Sequence, residues 1–153
     1  QRQFISGDDD MLVQKMSKTA KDVCYNLDPH AQVLTGAVSH WKSLFSQRAR
    51  WASNSTSYEN KLYVASIFVA YSFILYLALS PILFFVTALP ALYAFGPIGI
   101  KFILDIVFLC IGSRKLKSTK LLLFALPAFI IHIPLILWAV PAGHFKLFKW
   151  GGQ

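Results

Sequence analysis

The sequence predicts a mainly α-helical membrane protein: a soluble segment of one helix and two short strands, an amphipathic interfacial helix, then about three transmembrane helices. Three observations carry this. The chain is 56% hydrophobic and only 14% charged, an apolar excess that a soluble domain of this length does not carry. The excess is lopsided. Residues 1–61 mix charges as a soluble segment does, whereas 62–145 hold long uncharged stretches broken by Lys101 and Asp105 and by Arg114 to Lys120. Finally, basic residues crowd the edges of the apolar blocks: Arg48, Arg50 and Lys61 before the first, and Arg114, Lys115, Lys117 and Lys120 between blocks. Such residues mark the cytoplasmic side of spans and touch anionic headgroups, so the net charge of +8 points to membrane lipid and away from nucleic acid.

Each element has its own justification. Met11, Leu12 and Met16 recur near helical spacing opposite Lys15, Lys18 and Lys21, and Asp8-Asp9-Asp10 suits a helix start, where free amide groups favour negative charge. A helix is therefore expected from about Asp10 to Ala20. Val23 to Leu27 reads as a short strand, Asp28-Pro29-His30 as a turn, and Ala31 to Thr35 as a second strand. Ser39 to about Ser53 reads as a helix at about 100° per residue. Trp41, Leu44, Phe45, Arg48 and Ala52 fall on one stripe, suited to the bilayer interface, with Gln47, Arg50 and Trp51 on a neighbouring side facing the soluble domain.

The block from Leu62 to about Gly112 accommodates two spans of about 20 to 25 residues each. Ser80-Pro81 and Leu89-Pro90 are the candidate turns, and Gly96-Pro97 a candidate kink. The block from Leu121 to Gly143 is long enough for a third span, although Pro127, Pro134 and Pro141 disturb it. One crossing there would carry Lys146 and Lys149 to the far side, and a re-entrant hairpin would keep them on the near side; three spans is the expectation. The divisions are then 1–38 soluble, 39–61 interfacial, 62–145 transmembrane and 146–153 tail.

Several features are assigned no chemistry. Cys24 and Cys110 lie in unlike surroundings and form neither a metal pattern nor a disulfide framework. Lys101 and Asp105, four apart in an apolar helix, neutralise each other. His132 between Ile131 and Ile133 reads as a packed or interfacial histidine, and His30, His40 and His144 have no partners at useful spacing. Asn54-Ser55-Thr56 matches a glycosylation acceptor but follows a helix expected on the cytosolic side. Gln1 to Gly7 has no apolar signal-peptide region.

Chemistry concentrates in two motifs. Ser6-Gly7-Asp8-Asp9-Asp10, then Gln47-Arg48-Ala49-Arg50-Trp51, then apolar spans, in that order and at that separation, resembles the family-2 glycosyltransferases, including the membrane-bound relatives of cellulose, chitin and hyaluronan synthases. There the first motif appears as Thr-Glu-Asp or Gly-Asp-Asp and the second as Gln-x-x-Arg-Trp. The tail Phe148-Lys149-Trp150-Gly151-Gly152 is loosely similar to a Trp-Lys-Gly-Arg ending of some members, with that Lys and Arg absent. The resemblance implies that residues 1–38 are the C-terminal remnant of a GT-A α/β catalytic domain. With an acidic cluster so early and no initiator Met, the chain is expected to be the C-terminal part of a larger enzyme.

The resemblance also implies roles. Asp9 would be the base that takes a proton from the acceptor hydroxyl, with inversion at the sugar. Asp8, Gln47, Arg50 and Trp51 would bind substrate: Arg50 at the diphosphate, Trp51 against a sugar ring, Gln47 at hydroxyls or the diphosphate. A nucleotide-sugar is the implied donor, and a lipid-linked or polysaccharide glycan the acceptor. A divalent cation, Mg²⁺ or Mn²⁺, is expected, held by an upstream Asp-x-Asp motif and not by this chain. Two plainer readings stand beside these: Asp8 to Asp10 as a helix cap alone, and Gln47, Arg50 and Trp51 as a juxtamembrane anchor alone. The alternative function is a non-enzymatic multi-pass protein, a carrier or assembly subunit, using Lys101, Asp105 and His132 as a polar path.

Overall fold

A computed structural model describes residues 8–148 except 25, 27, 32 and 34, with the side chains of residues 8–10 and 29 outside that description. Five α-helices follow in order: α1 Asp8–Ser17, α2 Trp41–Ala52, α3 Lys61–Val86, α4 Ala91–Lys115 and α5 Ala125–His144. Short 3₁₀ segments stand at Pro29–Ala31 and Thr119–Phe124. Three stretches are long and apolar enough to cross a membrane: α3, α4, and Thr119–His144, which joins the second 3₁₀ segment to α5. Large side chains such as Phe85, Leu92 and Phe108 stand outward along them, as helices solvated by lipid must present them.

Of the two expected strands, Tyr25, Leu27, Gln32 and Leu34 lie outside the described residues. No strand exists among the described residues, and the segment between α1 and α2 carries side chain to backbone turns instead. Asn26 Oδ1 accepts from the Asp28 amide at 2.9 Å, and Asp28 Oδ1 accepts from the His30 amide at 2.9 Å. Such turns offer the backbone partners that a strand would have to find on a neighbour. Asp28-Pro29-His30 is the tight turn the sequence predicts.

The chain divides into two compact units, one within residues 1–68 and 138–153, the other comprising 69–137. In the first, Asn60 starts α3: its Oδ1 accepts from the amides of Leu62 and Tyr63 at 3.0 and 3.2 Å, satisfying donors that a helix N-terminus leaves free. Tyr58 is buried and meets the Tyr63 ring edge-on at 5.2 Å. Lys18 pairs with Glu59 on the surface.

In the second unit, α3 runs through Pro81, so Ser80-Pro81 is not a turn. A proline leaves one carbonyl without its helical donor but does not end a helix that packing supports. The turn falls at residues 87–90, where Ala88 takes the left-handed conformation (φ 52°). Pro97 likewise lies inside α4. It brings no N–H to the carbonyl of Tyr93 four residues earlier, and Tyr76 of α3 supplies the missing donor, its hydroxyl donating to that oxygen at 2.7 Å. One turn on, the fully buried Ser80 donates to the Ala94 carbonyl at 2.8 Å. Phe84 closes against Phe95 at 5.2 Å. Further along α4, Lys101 is buried, ion-paired with Asp105, and lies over the Phe129 ring of α5 at 4.8 Å.

Candidate functional site

Helix α2 carries the second motif whole. Its N-cap, His40, is extended and makes no side-chain cap. Its C-terminus closes firmly: the Ser53 hydroxyl donates to the Arg50 carbonyl at 2.7 Å, and the Ser53 amide donates to the Ala49 carbonyl at 3.0 Å. Gln47, Arg48 and Arg50 are half-buried, Ala49 is wholly buried, and Trp51 remains 48% exposed. One helix therefore presents an amide, two guanidinium groups and an indole within five consecutive residues.

From the stripe of Trp41 and Phe45, Arg48 reaches toward the neighbouring side, where its guanidinium lies 4.4 Å over the ring of Trp51. Residues three apart on a helix are neighbours, about 60° around the axis, and a cation attracted to an indole face closes that gap. The Nε of Arg48 is buried without a hydrogen-bond partner, so the ring is the visible compensation for its desolvation. The spacing of three between Arg48 and Trp51 is the sequence signal for this pairing.

The opposite side of α2 is covered by protein. Phe45 meets Trp138 of α5 in an edge-to-face contact, ring centroids 6.5 Å apart. Gly143, near the end of α5, is buried directly on the α2 backbone: a Cβ placed there would stand 2.8 Å from the Ser53 amide nitrogen, 3.0 Å from the Ala52 carbonyl carbon, and closer still to the Ala49 carbonyl oxygen. Ala139 and Ala142 are buried alongside. Phe45 and Ala52, expected at the lipid interface, thus belong in part to a contact with α5. Neither Trp138 nor Gly143 stood out from the sequence, because a close approach between elements some ninety residues apart leaves no local pattern.

The first motif is only partly described. α1 begins at Asp8, consistent with carboxylates at a helix start; Ser6 and Gly7, and the side chains of Asp8, Asp9 and Asp10, lie outside the described residues. Among the described residues no three His, Cys, Asp or Glu side chains are grouped to hold a metal ion. His132 is exposed on α5. Compared with protein-family models, with curated proteins and with solved structures, the chain matches none.

Proposed function

We propose that this chain is the membrane-bound C-terminal part of an inverting glycosyltransferase that moves a sugar from a nucleotide-sugar to a lipid-linked or polysaccharide acceptor. The observation that supports it most is α2: Gln47, Arg50 and Trp51 stand on one continuous helix, just before a helix apolar enough to span. Asp8 to Asp10 begin α1, and the second motif lies on α2.

In the proposed reaction, Asp9 accepts the proton of an acceptor hydroxyl while its oxygen attacks the anomeric carbon. The bond from that carbon to the nucleotide diphosphate breaks in the same displacement, and the leaving group departs with the electron pair. Arg50 meets the negative charge that accumulates on the diphosphate through planar, paired donors. Trp51 offers a flat face to a sugar ring, and Gln47 hydrogen-bonds hydroxyls or phosphate oxygens. The site would lie toward the cytoplasm, beside the basic residues that flank α3.

The polar path imagined for a carrier has less support. Lys101 and Asp105 satisfy each other, with Lys101 buried against Phe129.

The test is sugar transfer by the full-length protein in membranes, using labelled nucleotide-sugars. Asp9→Asn is expected to lower turnover by about 10²–10⁴-fold and Arg50→Ala by about 10²-fold. Near-normal transfer by either variant at normal expression would overturn its role.

A further inference from the structure

The contact between α2 and the end of α5 bears on how the chain is threaded. A Cβ at Gly143 would meet backbone, not flexible side chain, along Ala49, Ala52 and Ser53, so the two helices approach closely there. Phe45 and Trp138 lock the same pair about one turn away. Ala49, Ala139 and Ala142 are all at most 2% exposed, and small side chains are what let two backbones approach in this way.

We propose that the C-terminal turn of α5 is the seat of helix α2, and that the tail after His144 therefore leaves the membrane on the side that α2 occupies. α2 stands just before α3. Three complete crossings from there would leave the end of α5 on the opposite face, whereas contact between the two requires an even number. One of the three long apolar stretches consequently turns back within the bilayer or lies along it. Lys146 then shares a face with Lys42, Arg48 and Arg50, in keeping with the tendency of positive charge to stay in the cytoplasm. Gly143 is the residue on which the seat turns, since any side chain there must push α2 away.

Two measurements on the full chain in sealed membrane vesicles test it, with Cys24 and Cys110 replaced by Ser. First, single cysteines at Lys42 and at Lys146 are treated with a membrane-impermeant maleimide from each side. Both are expected to react from the same side; reaction from opposite sides overturns the proposal. Second, Phe45→Cys with Trp138→Cys is treated with a short bifunctional maleimide. Cross-linking is expected, with at least a ten-fold loss when Gly143→Val is added and no loss with Gly112→Val, where an added Cβ meets nothing within 4 Å. Absence of the cross-link, or its full retention in Gly143→Val, overturns the proposal. Should Gly143→Val fail to accumulate, the sided labelling of the otherwise unaltered protein still decides.

Discussion

The guanidinium of Arg48 lies over the indole of Trp51, 4.4 Å from the ring centroid. One face of the motif's single aromatic ring is thereby covered by the motif's own cation. A cation–π contact of this kind is worth about 1 kcal/mol. Arg48→Ala should free the ring, and Arg48→Lys should keep part of the contact. In a protein whose other tryptophans are changed to phenylalanine, Trp51 emission should shift to the red and lose anisotropy in Arg48→Ala, and less so in Arg48→Lys. Identical spectra in all three would show that the pair is not formed in solution.

Lys101 and Asp105 should behave as a unit. Replacing Lys101 by Met strands a carboxylate in an apolar helix and should cost about 3 kcal/mol, whereas Lys101→Met with Asp105→Leu should recover most of that loss. Unfolding of the detergent-solubilised protein measures both. A double variant as unstable as the single one would mean that the pair holds α4 by more than charge neutrality.

Tyr76 should matter through one hydroxyl. Tyr76→Phe keeps the ring but leaves the Tyr93 carbonyl without the donor that Pro97 denies it, at a cost of about 1–2 kcal/mol. Pro97→Ala restores a helical N–H, and in that background Tyr76→Phe should be nearly silent. Additive effects in the double variant would break the link between the proline and the tyrosine.

Two helices end on left-handed lysines, Lys117 (φ 53°) and Lys146 (φ 54°). Each is followed by an amide that bonds back five residues, Ser118 to Ser113 at 2.8 Å and Leu147 to Ala142 at 2.7 Å, the closure that glycine makes without steric penalty. Lys117→Gly should therefore raise stability by about 1 kcal/mol. A loss of stability would show that the lysine side chain contributes something its surroundings do not reveal.

Glu59 is held below the usual carboxylate range, first by the hydrogen bond from Lys18, then by the charge of Lys18, with a smaller contribution from Lys15. Because its folded value is lower than its unfolded one, the pairing stabilises the fold above the ordinary glutamate range. That contribution fades as pH falls through the folded value. Lys18→Ala should return Glu59 to the ordinary range, followed by carboxyl ¹³C shifts. Both groups are exposed, so high salt should do the same in the unaltered protein.

The long elements were readable because composition alone dictates them. Blocks without charge, of membrane length, have few outcomes but helices, and the three candidate spans follow from that. Where α3 turns was not readable, because Ser80-Pro81 looks like a break until Ala94 and its neighbours support the helix through it. Strands at 23–27 and 31–35 were expected from local propensity, and among the described residues the Asn26 and Asp28 side chains instead bond to nearby backbone amides. Within the site, a regular helix put Gln47, Arg50 and Trp51 on α2 from spacing alone. The resting place of Arg48 over Trp51 was not readable, because a helical wheel gives the direction of a Cβ and not where a long, flexible cation comes to rest.

The meeting of Ala49 with Gly143 has a consequence for biogenesis. The ribosome delivers α2 long before it has made the residue that α2 packs against, and every apolar helix must emerge and insert in the interval. Until then the arginine- and tryptophan-bearing helix has no final lodging, and ordering it is among the last events of assembly. Nascent chains truncated before α5 should therefore expose α2 to protease, and those extended past Gly143 should shield it.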